Sequence, residues 1–267
     1  MNATRKTQPH LSFTIGKLNL NYMKTNVCYQ GDCLEVMKSL PDKSIDLTVT
    51  SPPYNMRTRI RNGKYTTREK SEHFSKKYHH FDDALPIDDF YEFHKQSLTE
   101  MLRVSKIVIY NFQIVTGSKE AFFKIIGDFN KDIKDIIIWD KGFGQPAMHE
   151  KVLNSAYELI LILEGDKKCG RVIQNATFKR GEMQNILRVN RVKPPKGHSA
   201  IFPPELIKQI INNFSKEGDL VLDPFMGTGT TALVCKELNR NFIGCEISSE
   251  YCDIIKERVN CEIIKPN

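Results

Sequence analysis

Long apolar runs are missing from this chain: nowhere in its 267 residues does a stretch approach the roughly 20 consecutive apolar residues that a membrane span needs. The polar opening, 1–24, has no apolar signal core, so a cytoplasmic protein is expected rather than a secreted or membrane-bound one. Paired cysteines are missing too. The seven cysteines, at 28, 33, 169, 235, 245, 252 and 261, are odd in number and none sits at C-x-x-C spacing. That pattern implies free thiols in a reducing compartment and argues against a structural zinc, whose ligands come in tight pairs. No internal repeat or low-complexity tract is present. With 40% hydrophobic and 27% charged residues, the composition is that of a globular protein, and the length suits one large domain or one domain with an insertion.

What is present is charge, unevenly placed. The net formal charge is +7. Residues 56–80 hold eight Lys and Arg against Glu69 and Glu72, residues 165–197 hold nine against Asp166 and Glu182, and the rest of the chain is net −6. Two basic segments on an acidic body fit a cleft for a phosphate backbone; two solvated loops are the alternative.

Strand-like runs alternate with helices. Asn26–Asp32 reads as a strand closing in a Gly31-Asp32 turn, followed by a short helix on Leu34, Val36, Met37 and Leu40. The β-branched run Ile45–Thr50 must leave its sheet at Ser51-Pro52-Pro53-Tyr54, because proline cannot continue the ladder. Asp88 and Asp89 are candidate caps for a helix through Val104. Strands are expected at 106–112 and 133–139 around a helix at 118–129, then a break at 142–146 and a strand at 156–163. Residues 56–80 read as a mobile basic loop and 165–197 as an irregular excursion. A helix at 206–214, a strand at 219–222, a glycine-rich turn, a helix at 232–239, a strand at 241–246 and a helix at 250–259 complete the pattern. The expected fold is α/β, a doubly wound, mostly parallel sheet.

Residues 219–246 form one strand, turn, helix and strand unit. Its turn, Asp223-Pro224-Phe225-Met226-Gly227-Thr228-Gly229-Thr230-Thr231, lets backbone approach a ligand, and Glu246, 17 residues after Gly229, stands where an acid can hold ribose hydroxyls. No lysine follows the glycines, which argues against a Walker loop. Asp223, read as facing the ligand, would repel phosphate and suit a cation; S-adenosylmethionine carries an ammonium and a sulfonium and no phosphate.

Those residues resemble the cofactor motif of amino-group DNA methyltransferases, enzymes that methylate N4 of cytosine or N6 of adenine. Ser51-Pro52-Pro53-Tyr54 after Asp46–Thr50 is similar to their catalytic motif, and His198-Ser-Ala-Ile-Phe202-Pro203 to a further motif on the cofactor side. Catalytic motif, basic region and cofactor motif follow the circularly permuted order of the β group, of bacterial restriction-modification type, and the likeness runs from about Val27 to Val259, nearly the whole chain. It implies a methyltransferase fold divided into a polar tail (1–25), a catalytic part (26–164), a target-recognition insertion (165–197) and a cofactor-binding part (198–267). It also implies that Asn26–Asp32 supplies the strand the sheet needs beside 241–246. Asp32 would then lie near the adenine of the cofactor, or serve only as a turn residue.

The implied site has Ser51, Pro52, Pro53 and Tyr54 as catalytic residues. Asp32, Phe202, Asp223, Pro224, Phe225, Gly227, Gly229, Thr230 and Glu246 bind S-adenosyl-L-methionine, and no metal is implied. An aromatic amine is a poor nucleophile because its lone pair is spread into the ring. Hydrogen bonds from its N–H groups to the Ser51 hydroxyl and the Pro52 carbonyl favour a tetrahedral nitrogen, and Tyr54 can stack on a flipped-out base. Serine at the first position goes mostly with cytosine N4, aspartate with adenine N6; adenine is the alternative. Cytosine C5 chemistry needs a cysteine nucleophile, typically after proline, and no cysteine here follows one. A protein-glutamine methyltransferase usually has Asn in place of Ser51 and its cofactor motif first; a non-catalytic DNA binder keeping the fold is the reading of another class. The implied partners are double-stranded DNA, read in part by side chains such as Gln174, Asn175 or Arg180, and a cognate restriction endonuclease, with a monomer or homodimer left open. Trp139 is expected in the core.

Overall fold

A computed structural model describes residues 23–56, 58–61, 64–67, 85–145, 150–165, 170–192 and 201–265. In chain order the elements are β1 (Val27–Gln30), α1 (Cys33–Ser39), β2 (Ile45–Thr50), β3 (Thr58–Arg61), β4 (Lys64–Thr67), α2 (Ile87–Val104), β5 (Ser105–Phe112) and α3 (Lys119–Asp128). There follow β6 (Ile133–Gln145), β7 (Ser155–Leu163), β8 (Ile186–Arg188), α4 (Pro204–Phe214), β9 (Leu220–Asp223), α5 (Thr230–Glu237), β10 (Asn241–Glu246), α6 (Ser249–Val259) and β11 (Glu262–Ile264).

Nine strands make one sheet in the order β11-β1-β10-β9-β2-β5-β7-β6-β8. From β11 through β5 all neighbours run parallel; β7 is antiparallel to both β5 and β6, and β8 runs parallel to β6. Side-chain alternation along the strands feeds two cores. Leu47, Val49, Ile107 and Ile109 face Leu206, Ile210, Ala232 and Ile255 of α4, α5 and α6. Val108, Tyr110 and Phe112 face Met37, Phe90, Leu98 and Phe122 of α1, α2 and α3. Helices on both faces of a mostly parallel sheet are the doubly wound α/β fold expected from the sequence. Parallel strands buried on both sides explain why their sequences are continuous apolar runs.

β1 pairs parallel with β10, Gln30 opposite Glu246, so the strand at the start of the chain does complete the sheet beside 241–246. The expectation that no further strand follows α6 is corrected: β11 flanks β1 on its other side. Three other expectations also change. Asp88 and Asp89 do not cap α2; Pro86 is the N-cap without a side-chain bond, and the two acids lie in the first turn, where they favour the helix dipole. The break expected at 142–146 is a bulge inside β6. Gly142 takes φ 77, the register with β7 shifts between Asp140 and Gln145, and pairing resumes at Gln145 and Ser155. Glycine at positive φ lets a strand bend without ending. Within 56–80, read as a mobile basic loop, the described residues include β3 and β4, which pair antiparallel; 57, 62, 63 and 68–80 lie outside the described residues.

Trp139 is in the core, its indole N–H donating to the Val189 carbonyl at 2.8 Å. Six of the cysteines lie among the described residues as free thiols, five of them buried; Cys169 lies outside. Among the described residues no helix is long and apolar enough to cross a membrane.

Candidate active site

β2 and β9 are parallel neighbours, with Thr48 opposite Leu222. Both therefore deliver their following turns to the same end of the sheet: Ser51–Tyr54 after β2 and the glycine-rich turn after β9. One buried carboxylate joins them. Asp223 Oδ1 accepts from Thr50 Oγ1 at 2.8 Å and from the Phe225 backbone N–H at 3.2 Å, and Oδ2 accepts from Thr231 Oγ1 at 2.6 Å. Burial raises its pKa from 3.8 to about 6, against the three hydrogen bonds, which lower it.

The glycine turn is held from two sides. Gly227, at φ 55, donates its N–H to Glu246 Oε2 at 2.8 Å, while Glu246 Oε1 accepts from the Ser248 N–H at 2.8 Å. Burial pushes Glu246 up to about 7. Gly229, at φ 82, starts α5, and a Cβ there would stand 2.6 Å from Val259 Cγ2. Arg258 donates to the Thr228 carbonyl and hydroxyl, both at 2.9 Å, and to Thr230 Oγ1 at 3.3 Å. Above Gly227, in contrast, a Cβ would meet nothing within 4 Å, so that backbone faces open space.

Around the Ser51–Tyr54 turn the structure gathers polar groups from three further strands and one helix. The Ser51 and Tyr54 hydroxyls are 2.6 Å apart. Asn111 Nδ2, at the end of β5, lies 2.7 Å from the Tyr54 hydroxyl, 3.3 Å from Ser51 Oγ and 2.8 Å from Glu158 Oε2 of β7. Glu158 Oε1 in turn is 3.2 Å from Lys141 Nζ of β6. Asn55, at φ 57, ends the turn and donates to the Leu85 carbonyl at 2.9 Å and the Gly117 carbonyl at 3.1 Å. Buried His94 of α2 hydrogen-bonds to the Tyr110 hydroxyl, and burial holds its pKa down at about 3, so it is neutral at working pH.

The residues singled out after β1, β2, β9 and β10 thus fall at one end of the sheet, with particulars that sequence could not show. Ser51, Pro52, Pro53 and Tyr54 form the turn after β2, with the Tyr54 ring edge-on to Phe122 at 6.4 Å. Asp223 points inward at Thr50 and Thr231 rather than outward at a ligand. Pro224 and Phe225 continue the turn, Phe225 edge-on to Phe93 at 5.9 Å. Phe202 packs against Trp139 at 6.3 Å; His198 and the two residues after it lie outside the described residues. Asp32 caps α1, its Oδ1 accepting from the Leu34 N–H at 2.8 Å, at the same end of the sheet as Glu246. Asn175 gives its side-chain amide to Glu164 at 3.0 Å. Asn111, Glu158, Lys141 and His94 were not singled out. Their signal was a polar residue inside an otherwise apolar strand or helix face, as in Ser155–Leu163 and Ile133–Gln145.

Two parallel turns, one proline-rich and one glycine-rich, at one end of a doubly wound sheet with a single antiparallel β7 are the arrangement of the methyltransferase fold. Comparison with known proteins agrees. Residues 45–257 match the family model described as DNA methylase (N6_N4_Mtase). The Type II methyltransferase M.HinfI of Haemophilus influenzae is 31% identical over 261 residues, covering 91% of this chain and 70% of that protein. The Type II methyltransferase M.HpaI of Haemophilus parainfluenzae is 29% identical, covering 86% of this chain and 73% of its own length. Among solved structures, the PvuII DNA methyltransferase (cytosine-N4-specific) superposes with a TM-score of 0.65 at 17% identity, over 90% of this chain and 95% of that one. The M1.HpyAVI–SAM complex gives 0.56 at 24% identity, over 88% and 99%. The chain belongs to the DNA methylase family.

The raised pKa of Asp223 has a measurable consequence. Its unfolded carboxyl ionises near 3.8 and its folded one near about 6, so the stability it contributes is complete at low pH and is lost as pH rises through the folded value. Between about pH 4 and pH 7 the natural chain should lose about 2 kcal/mol more stability than the Asp223→Asn variant, read from urea unfolding at each pH. Parallel pH curves for the two would contradict the assignment.

Proposed function

We propose that this chain transfers a methyl group from S-adenosyl-L-methionine to the exocyclic N4 of a cytosine flipped out of double-stranded DNA. The observation that carries the reading is the join of the Ser51–Tyr54 turn to the glycine turn through Thr50 and Asp223, 2.8 Å apart. It supports a geometry in which a base held at one turn meets a cofactor held at the other.

The residues present fit that cofactor. Open space over the Gly227 backbone allows close approach of a ligand, and the turn carries no lysine and two raised carboxylates nearby, an environment for a cation and not for a phosphate. The backbone of Pro224, Phe225, Gly227, Gly229 and Thr230 lines the cradle, Phe202 supplies an apolar wall, Glu246 accepts from the ribose hydroxyls and Asp32 from the adenine amine. Asp223 acts from behind, holding the turn. When bound there, the cofactor supplies a methyl group on a positively charged sulfur, open to direct attack by an amine. Ser51 Oγ and the Pro52 carbonyl accept from the two amine hydrogens, and Tyr54 stacks on the base.

The cytosine preference rests on Ser51. Residues 165–197 are read as the target-recognition segment: its described part adds β8 to the sheet edge, and Lys179, Arg180 and Arg191 are exposed and available to phosphates. Arg171 and Arg188 already pair with Asp135 and Asp140. A cytoplasmic enzyme working beside a cognate restriction endonuclease fits the Type II relatives.

Incubation with unmethylated bacterial DNA and S-adenosylmethionine, then nucleoside mass spectrometry, tests the reading. N4-methylcytosine is expected; N6-methyladenine would overturn the base preference alone, and neither product would overturn the activity. Tyr54→Ala should lower turnover about 100-fold through lost stacking while cofactor affinity, measured by calorimetry, stays within about threefold. A second expectation concerns pH. Glu246 is held at about 7 by burial, and only its ionised form accepts from both ribose hydroxyls. Cofactor affinity should therefore fall as pH drops through that value and be weak and flat with pH in Glu246→Gln. A natural chain whose affinity ignores pH would remove Glu246 from the cofactor site.

A further inference from the structure

The cluster behind Ser51 has more hydrogen-bond partners than a turn needs. Asn111 Nδ2 has two hydrogens and three oxygens within reach, and the two short contacts, to the Tyr54 hydroxyl at 2.7 Å and Glu158 Oε2 at 2.8 Å, take them. Ser51 Oγ, at 3.3 Å, is then left out. The Tyr54 oxygen already receives from Asn111. Were its own proton given to Ser51, it would face the Glu158 oxygen at 3.3 Å with no hydrogen between them. The remaining contacts are satisfied when Tyr54 donates to Glu158 and Ser51 donates to Tyr54. Glu158 is kept as the acceptor by the Lys141 ammonium at 3.2 Å, whose side chain is fully buried. The charged or titratable groups around this chain are Lys141 on β6, Glu158 on β7 and Tyr54 after β2, with Arg191 acting on Lys141 from beyond; Asn111 on β5 is neutral. A buried Lys–Glu pair is a poor stabilising device, since desolvating both charges offsets their attraction. Its position at the far end of a hydroxyl pair suggests work.

We propose that Glu158, held by Lys141, is a positioning residue: it orders the hydrogen bonds Ser51 to Tyr54 to Glu158 so that Ser51 Oγ meets the target amine as an acceptor, and it receives the proton that the amine sheds. This rests on the reading of Ser51 given above. The balance closes. As nitrogen bonds to the methyl carbon, the carbon–sulfur bond breaks with its electron pair on sulfur. One amine proton passes to Ser51 Oγ, the Ser51 proton to Tyr54, and the Tyr54 proton to Glu158. The product amine is neutral, and the positive charge carried in by the sulfonium ends as the proton of a carboxylic acid beside Lys141, later released to solvent.

Glu158→Gln keeps the shape and removes the acceptor charge. Single-turnover methyl transfer at saturating cofactor and DNA should fall at least about 100-fold, the scale of a lost acid–base group. Affinities for S-adenosylmethionine and DNA, and the fluorescence of 2-aminopurine at the target position as a readout of flipping, should stay within about threefold. Glu158→Asp should recover part of the rate. A loss confined to affinity or flipping, or a rate within about threefold of the natural chain, overturns the proposal. If Glu158→Gln does not fold because Lys141 is stranded, the neutral pair Lys141→Met with Glu158→Gln replaces it; a persistent rate loss supports the relay and a recovered rate overturns it. Failure of the natural chain itself to methylate DNA would instead overturn the reading of the site.

Discussion

Thr50 donates to Asp223 across 2.8 Å at a place sealed from water, where β2 and β9 come to their ends side by side. Each partner is fixed by its own strand, and Asp223 takes two further donors, Thr231 and the Phe225 N–H, from the turn that follows it. The carboxylate therefore sets the spacing of the two turns, and the proposed meeting of base and cofactor depends on that spacing. The residues concerned are 173 apart in sequence. Their contact is possible because β2 and β9, far apart in the chain, are parallel neighbours in the sheet.

The electrostatics follow from the same arrangement. Asp223 and Glu246 both sit where burial makes ionisation costly, and each is offset by hydrogen bonds from the glycine turn or the elements beside it. Glu158 is handled differently, with Lys141 provided as an internal counter-charge. The excess positive charge of the chain is concentrated in sequence, in segments 56–80 and 165–197, a composition that suits contact with a phosphate backbone.

The turns were legible in the sequence because they are made by backbone. Prolines after a β-branched run must end a strand, and Gly227 and Gly229 at positive φ mark a turn that other residues would strain, Gly229 also because a Cβ would meet Val259. Alternating runs were enough to give the doubly wound sheet, and the place of β1 beside β10 followed from strand count. What stayed hidden depends on tertiary neighbours. Nothing local says that Asp223 faces inward, since that is decided by Thr50 on another strand. Glu158 and Lys141 looked like single polar residues in apolar strands, and only the antiparallel pairing of β6 with β7 puts them together. The bulge at Gly142 did carry a local signal, because a glycine at positive φ permits a bend within a strand as readily as an end to it. Asp32 caps α1 and stands at the same end of the sheet as Glu246.

The claim that one buried hydrogen bond sets the spacing of the two turns is tested most directly by a double-mutant cycle on Thr50→Val and Asp223→Asn, read in unfolding free energy and in cofactor affinity. The account predicts strong coupling of about 1–3 kcal/mol in stability, with cofactor affinity lowered by either single change and hardly further by the second. Independent, additive effects of the two substitutions would show that the turns are held apart by something other than this contact.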